Sequence, residues 1–184
     1  MTMNTQSTLS ALPRTPCSLF FGCCLDVMKG IESGSVDMVC ADLPYGTTSC
    51  KWDSVIPLEP LWREYRRVCK PNAAIVLTAN HPFTARLVCS NIDAFRYCWV
   101  WEKSKPVGHL RAKLQPMRNH EDVLVFGFET PQYHPQGLVD IAPRMIKRTN
   151  TGGNYGRQAG VPSVQKQTGF PRTVLKYPVE EGLH

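Results

Sequence analysis

Val36-Asp37-Met38-Val39-Cys40-Ala41 runs directly into Asp42-Leu43-Pro44-Tyr45, and the junction of these two stretches decides how the chain folds. The first six residues alternate and then turn apolar, as a strand buried in a parallel sheet does. A residue before proline is pushed out of the helical region, so Leu43-Pro44 forces an extended turn. The strand therefore ends at Asp42, and Tyr45 projects beyond the carboxyl edge, where open α/β sheets place their ligands.

On either side of this junction, Leu19-Phe20-Phe21 reads as a strand and Asp26 to Ile31 as a short helix. Leu58, Leu61, Trp62, Tyr65, Val68 and Cys69 recur at three and four, which predicts an amphipathic core helix over 58–69 with Glu59 and Arg63 placed to pair. Lys70-Pro71-Asn72 ends that helix and Ala73 to Ala79 is a buried strand. A helix follows His81-Pro82, since proline suits a first turn, and Tyr97 to Glu102 and Asp122 to Phe128 are further strands. Strands alternating with helices predict an α/β fold of the doubly wound kind. After Thr130 prolines, glycines and charges show no sustained period, and the region is expected to be irregular.

Asp42, Leu43, Pro44 and Tyr45 together suit the handling of an exocyclic amino group. An adenine N6 is a poor nucleophile because its lone pair is delocalised into the ring. A carboxylate and a carbonyl held before a proline can accept its two hydrogens and free that lone pair. Tyr45 offers a flat face to a base that must leave the duplex stack to be reached. The same tetrapeptide also serves as a plain strand-to-loop turn, since Asp and Pro are common turn formers. The loop Gly46 to Pro57 either closes over such a base through Lys51, Trp52 and Asp53 or folds back on the sheet through Trp52. His81 suits a positioning or structural role better than that of a base.

From Cys17 to Gly127 the order of motifs resembles the β-type amino-methyltransferases of DNA, above all the adenine methylases of phages and prophages. The likeness is carried by Gly22-Cys23-Cys24-Leu25-Asp26-Val27-Met28, Ser35 to Val39, Asp42-Leu43-Pro44-Tyr45-Gly46-Thr47-Thr48 and Cys50-Lys51-Trp52-Asp53. It continues through Lys70-Pro71-Asn72, Thr78-Ala79-Asn80-His81-Pro82-Phe83, Trp101-Glu102-Lys103 and His120 to Phe126. The resemblance implies a partial Rossmann-like methyltransferase sheet and S-adenosylmethionine as cofactor. Double-stranded DNA is the implied partner, and Asp42, Leu43, Pro44 and Tyr45 the implied catalytic residues. Residues 1–16, rich in Ser, Thr and Pro, are expected to be flexible, and the resemblance implies a catalytic half-domain over 17–130 and a basic target-recognition region or tail over 131–184. Adenine is favoured over cytosine because the cytosine-N4 members more often begin the motif with Ser.

Leu43 stands where the family writes a first proline, which leaves the acceptor carbonyl less rigid, and Cys23 stands where an acid is usual. The Phe-x-Gly-x-Gly loop that cradles the cofactor does not occur. Phe126-Gly127-Phe128 lacks the second glycine, and Thr151-Gly152-Gly153-Asn154-Tyr155-Gly156 follows a polar stretch instead of a strand, so the cofactor residues stay unassigned. The chain thus reads like a methylase cut before its cofactor half. That leaves a non-catalytic DNA-binding remnant, or one half of a split enzyme completed by a second polypeptide, beside the active enzyme.

The formal net charge is +6, with nine basic against eight acidic residues in 1–100 and twelve against seven in 101–184. Lys103, Lys105, Arg111, Lys113 and Arg118 share one loop, and Arg144, Lys147, Arg148, Arg157, Lys166, Arg172 and Lys176 follow in the tail. Such residues either neutralise phosphates or form a solvated basic surface. No apolar run has the length of a membrane span and no signal peptide opens the chain, so a cytoplasmic protein is expected. All eight cysteines fall before residue 99 with no Cys-x-x-Cys pair, which predicts small buried hydrophobes and no metal site.

Overall fold

The computed structural model describes residues 17–51, 53–146 and 163–177. Helix α1 (Cys24–Met28) precedes strand β1 (Val36–Asp42), and helix α2 (Leu58–Val68) precedes strand β2 (Cys69–Ala79). Helix α3 (Phe83–Ser90), strand β3 (Phe95–Val107) and strand β4 (Arg118–Phe126) follow. The last elements are β5 (Val139–Ile146), β6 (Ser163–Thr168) and β7 (Val174–Tyr177). The main sheet has the order β1-β2-β4-β3-β7, and β5 and β6 form a separate two-stranded ladder. β1 runs parallel to β2 and β7 parallel to β3, while β4 is antiparallel to both of its neighbours.

The expected α/β architecture is therefore present, with a mixed central sheet. α2 forms because its apolar positions fall on one stripe, which buries Leu61, Trp62, Tyr65 and Val68. These side chains share a core with Ile75, Leu77, Leu124 and Phe126, the residues of β2 and β4 that alternate onto one sheet face. Trp62 packs on Phe126 with ring centroids 4.9 Å apart. Met28 of α1 and Phe83 and Leu87 of α3 join the same cluster, so the described helices cover one face. The opposite face carries a groove of about 400 Å³ lined by Met38, Ala74, Val76, Tyr97, Trp99 and Val125 among others.

Several expectations need correction. Leu19-Phe20-Phe21 forms no strand and its side chains are exposed, because no strand of the described residues lies alongside to pair with it. β2 begins at Cys69, so Lys70-Pro71-Asn72 lies within a strand and does not follow a helix end. Its register against β1 slips between Val36 and Met38, which accommodates a proline with no N–H to give the ladder. α2 carries an ion pair between Arg67 and Glu64 (2.8 Å) in place of the expected Glu59–Arg63. Arg67 also donates to the carbonyls of Met28 and Ile31, tying α2 to the end of α1. Five of the eight cysteines are exposed and only Cys69 is buried: Cys40 faces away from the helices on edge strand β1, Cys89 lies on the outer side of α3, and Cys17, Cys23 and Cys50 lie outside the strands and helices. Beyond Thr130 the described residues form three strands, not an irregular tail. β5 and β6 are exposed along most of their length and leave no apolar period in the sequence.

Candidate functional site

The parallel register of β1 and β2 sets Asp42 opposite Thr78 at the end of both strands. Paired residues of neighbouring strands point to the same sheet face, so the two side chains meet. The Thr78 hydroxyl donates to Asp42 Oδ1 at 2.5 Å. Tyr45, returning after the Leu43-Pro44 turn, brings its hydroxyl to 2.7 Å from the same Oδ1 and 2.9 Å from Thr78 Oγ1. Both hydroxyls thus crowd one carboxylate oxygen and turn the other away from them. Asp42 is exposed, whereas Leu43 is buried in the helix-side core and fixes the turn from the other face. The Tyr45 ring stacks on Phe83 at 5.3 Å with a 25° interplanar angle. Burial, reinforced by the Asp42 carboxylate, pushes the Tyr45 phenol well above its ordinary range, so it stays protonated.

The loop after Tyr45 is held from within by a residue expected to touch the base. Asp53 is buried, and its carboxylate accepts the backbone N–H groups of Gly46 (2.8 Å), Thr47 (2.9 Å) and Thr48 (2.7 Å). The N–H groups of Gly46 and Thr48 lead in lowering its pKa to about 2. Gly46 sits at φ +69, a left-handed conformation that favours glycine. Asp53 is therefore a clamp on this loop.

Lys51 is exposed on this loop, and Trp52 lies outside the described residues. Lys105 on β3, Arg111 and Lys113 in the connection that follows, and Arg118 at the start of β4 are all exposed, so the expected single loop is a strand–turn–strand arm. Lys103 is engaged differently: it pairs with Glu121 and lies over the Trp101 ring at 4.8 Å. Of the cations placed in the tail, Lys147, Arg148 and Arg157 lie outside the described residues, and Lys176 pairs with Glu102 at 3.0 Å. His81 is exposed, with Nε2 3.7 Å from buried Asp122, which accepts from the Thr84 hydroxyl at 2.7 Å. Thr78 and Phe83 complete the site but carry no chemical signal alone in the sequence. A polar residue closing the apolar run 73–79 was the one available cue to Thr78, and only strand register identifies its partner.

Phe126-Gly127-Phe128 offers a cofactor no close approach to its backbone. A Cβ on Gly127 would run into Pro131 and the Glu129 carbonyl oxygen, so that glycine serves chain packing and leaves no room for a ligand. Gly152, Gly153 and Gly156 lie outside the described residues. Among the described residues no three His, Cys, Asp or Glu side chains gather as metal ligands. No described helix is long and apolar enough to cross a membrane.

No family profile and no curated protein matches the sequence. Solved structures do match in shape. The chain is similar to the PvuII DNA methyltransferase, which is cytosine-N4-specific, with a TM-score of 0.56 at 11% identity over 90% of this chain and 58% of that one. M1.HpyAVI, solved as a complex with SAM, gives 0.44 at 13% identity over 83% of this chain and 63% of that one. A candidate DNA modification methylase of Thermus thermophilus gives 0.43 at 17% identity over 61% of this chain and 54% of that one. The chain thus has the fold of the PvuII DNA methyltransferase and spans 58% of that protein's length.

Proposed function

We propose that this protein methylates an exocyclic amino group of DNA, with adenine N6 favoured over cytosine N4. One observation carries the reading: at the carboxyl edge of a methyltransferase-like sheet, two hydroxyls hold Asp42 by a single oxygen. Oδ2 is then the oxygen available to accept one amino hydrogen, and the Leu43 carbonyl accepts the other. Drawing both hydrogens into acceptors localises the nitrogen lone pair and makes it nucleophilic. Tyr45, braced by Phe83, stacks on the extruded base. Lys51 and Trp52 contact the extruded base, and Lys103, Lys105, Arg111, Lys113 and Arg118 form the basic surface for the phosphates of double-stranded DNA. S-adenosylmethionine is the methyl donor that this chemistry calls for. Residues 131–184 are assigned to target recognition.

A second reading is favoured by the close packing at Gly127, which closes that turn to a ligand: a DNA-binding protein that transfers no methyl group by itself, or that is completed by a second polypeptide. Expression in a host devoid of DNA methylation, followed by nucleoside analysis of its DNA, separates the readings. N6-methyladenine supports the proposal and N4-methylcytosine corrects the base. Unmodified DNA together with retained DNA binding supports the second reading.

A further inference from the structure

The β3–β4 connection is a projecting arm with an unusual tip. β1 to β4 place Asp42, Thr78, Val123 and Trp99 in one row across the sheet. β3 continues past that row to Val107 and β4 returns from Arg118, so the arm leaves the same edge that bears Asp42. At ordinary strand spacing the arm stands roughly 14 Å to the side of Asp42, and its eight residues beyond the row reach roughly 25 Å outward. These dimensions match a duplex lying along the edge. From Ser104 to His120 the sequence has four Lys or Arg and no acid, which suits a polyanion.

Its tip is ordered by its own turns. Gly108, at φ +94, starts a 3-10 turn over His109–Arg111, and the N–H groups of Leu114 and Gln115 donate to the Arg111 carbonyl at 2.8 and 3.0 Å. Leu110 and Leu114, four residues apart on these turns, are 90% and 87% exposed. Two leucines presented to solvent between Arg111, Lys113 and Arg118 have no folding role in the described residues. Apolar side chains on basic elements enter base steps and unstack them.

We propose that Leu110 and Leu114 form an apolar wedge that enters the base stack of a duplex held by Arg111, Lys113 and Arg118. The inference rests on the DNA reading above and adds the device that opens the stack. A wedge gains wherever the unstacking has already been done, so it favours a duplex with a central abasic site over the same duplex fully paired. The expected preference is about tenfold, or ~1.4 kcal/mol.

The test measures dissociation constants of the full chain for both duplexes at one salt concentration. In the Leu110→Ser/Leu114→Ser double variant the preference falls to near one, while affinity for the paired duplex stays within about threefold. Arg111→Ala/Lys113→Ala weakens binding to both duplexes alike. A preference that survives in the leucine variant overturns the wedge and leaves the DNA reading standing. So does a wild-type chain that binds both duplexes equally. A wild-type chain that binds neither duplex overturns the DNA reading and the wedge with it. Binding instead to phosphatidylserine vesicles, lost in the leucine variant, reassigns the tip to a membrane surface.

Discussion

Replacing Thr78 with Val keeps the shape of the side chain and removes one hydroxyl from the cluster around Asp42. That cluster has three oxygen–oxygen contacts of 2.5, 2.7 and 2.9 Å but only two hydroxyl hydrogens to fill them. Either both hydroxyls donate to Asp42, or Tyr45 donates to Thr78 and Thr78 to Asp42; in both cases Thr78 fixes the carboxylate. A hydrogen bond to an ionised group contributes about 1.5–3 kcal/mol, and the exposure of Asp42 lets water replace part of it. The expected loss of stability is therefore about 1 kcal/mol, a fall of about 2–4 °C in Tm for a chain of this size. The effect on transfer is larger, because a carboxylate free to rotate no longer meets the amino hydrogen. About 10- to 100-fold is expected in kcat, with KM for DNA little changed. A double-mutant cycle with Tyr45→Phe should show coupling of about 0.5 kcal/mol or more, since the two hydroxyls share one oxygen. Unchanged Tm and kcat in Thr78→Val, or strict additivity in the cycle, would refute the shared-oxygen account.

Three further expectations follow from the same geometry. Asp53 binds its proton only near pH 2 when folded, against about pH 4 in an unfolded chain. Its contribution is full above pH 4 and is lost as the pH falls toward 2, so Asp53→Asn should flatten the acid limb of stability against pH. An acid limb identical to wild type counts against the clamp. Gly46→Ala forces a side chain into the left-handed region at φ +69 and brings its Cβ to 2.8 Å from Val55 Cγ2. It should lower the denaturant midpoint by the equivalent of about 1–2 kcal/mol, and an unshifted midpoint contradicts the loop geometry. Leu61, with no exposed surface, should lose about 2–5 kcal/mol on replacement by Ala, read in the same assay; a loss below about 1 kcal/mol means the helix-side core is not packed as described.

The parts of the fold that bury an apolar face were legible in the sequence. α2 shows its stripe directly, and β1 and β2 announce themselves as apolar runs. β5 and β6 expose most of their residues, so no burial pattern marks them, and β7 is a four-residue strand recruited by β3. Leu19-Phe20-Phe21 misled for the converse reason: it is apolar enough for a strand but has no described neighbour. At the site, Asp42 and Tyr45 could be named from a tetrapeptide, whereas Thr78 lies 33 residues beyond Tyr45 and is joined to it only through strand register. Asp53 was visible as a polar residue of the loop, but its three backbone donors are a product of the turn that it closes.

The most direct test of the account is transfer of labelled methyl from S-adenosylmethionine to unmethylated DNA by the purified chain, beside Asp42→Ala, with DNA binding measured for both. The account predicts label on an exocyclic amino group of DNA that disappears in Asp42→Ala while binding persists. Label undiminished in Asp42→Ala, or none from a wild-type chain that binds DNA, would contradict it.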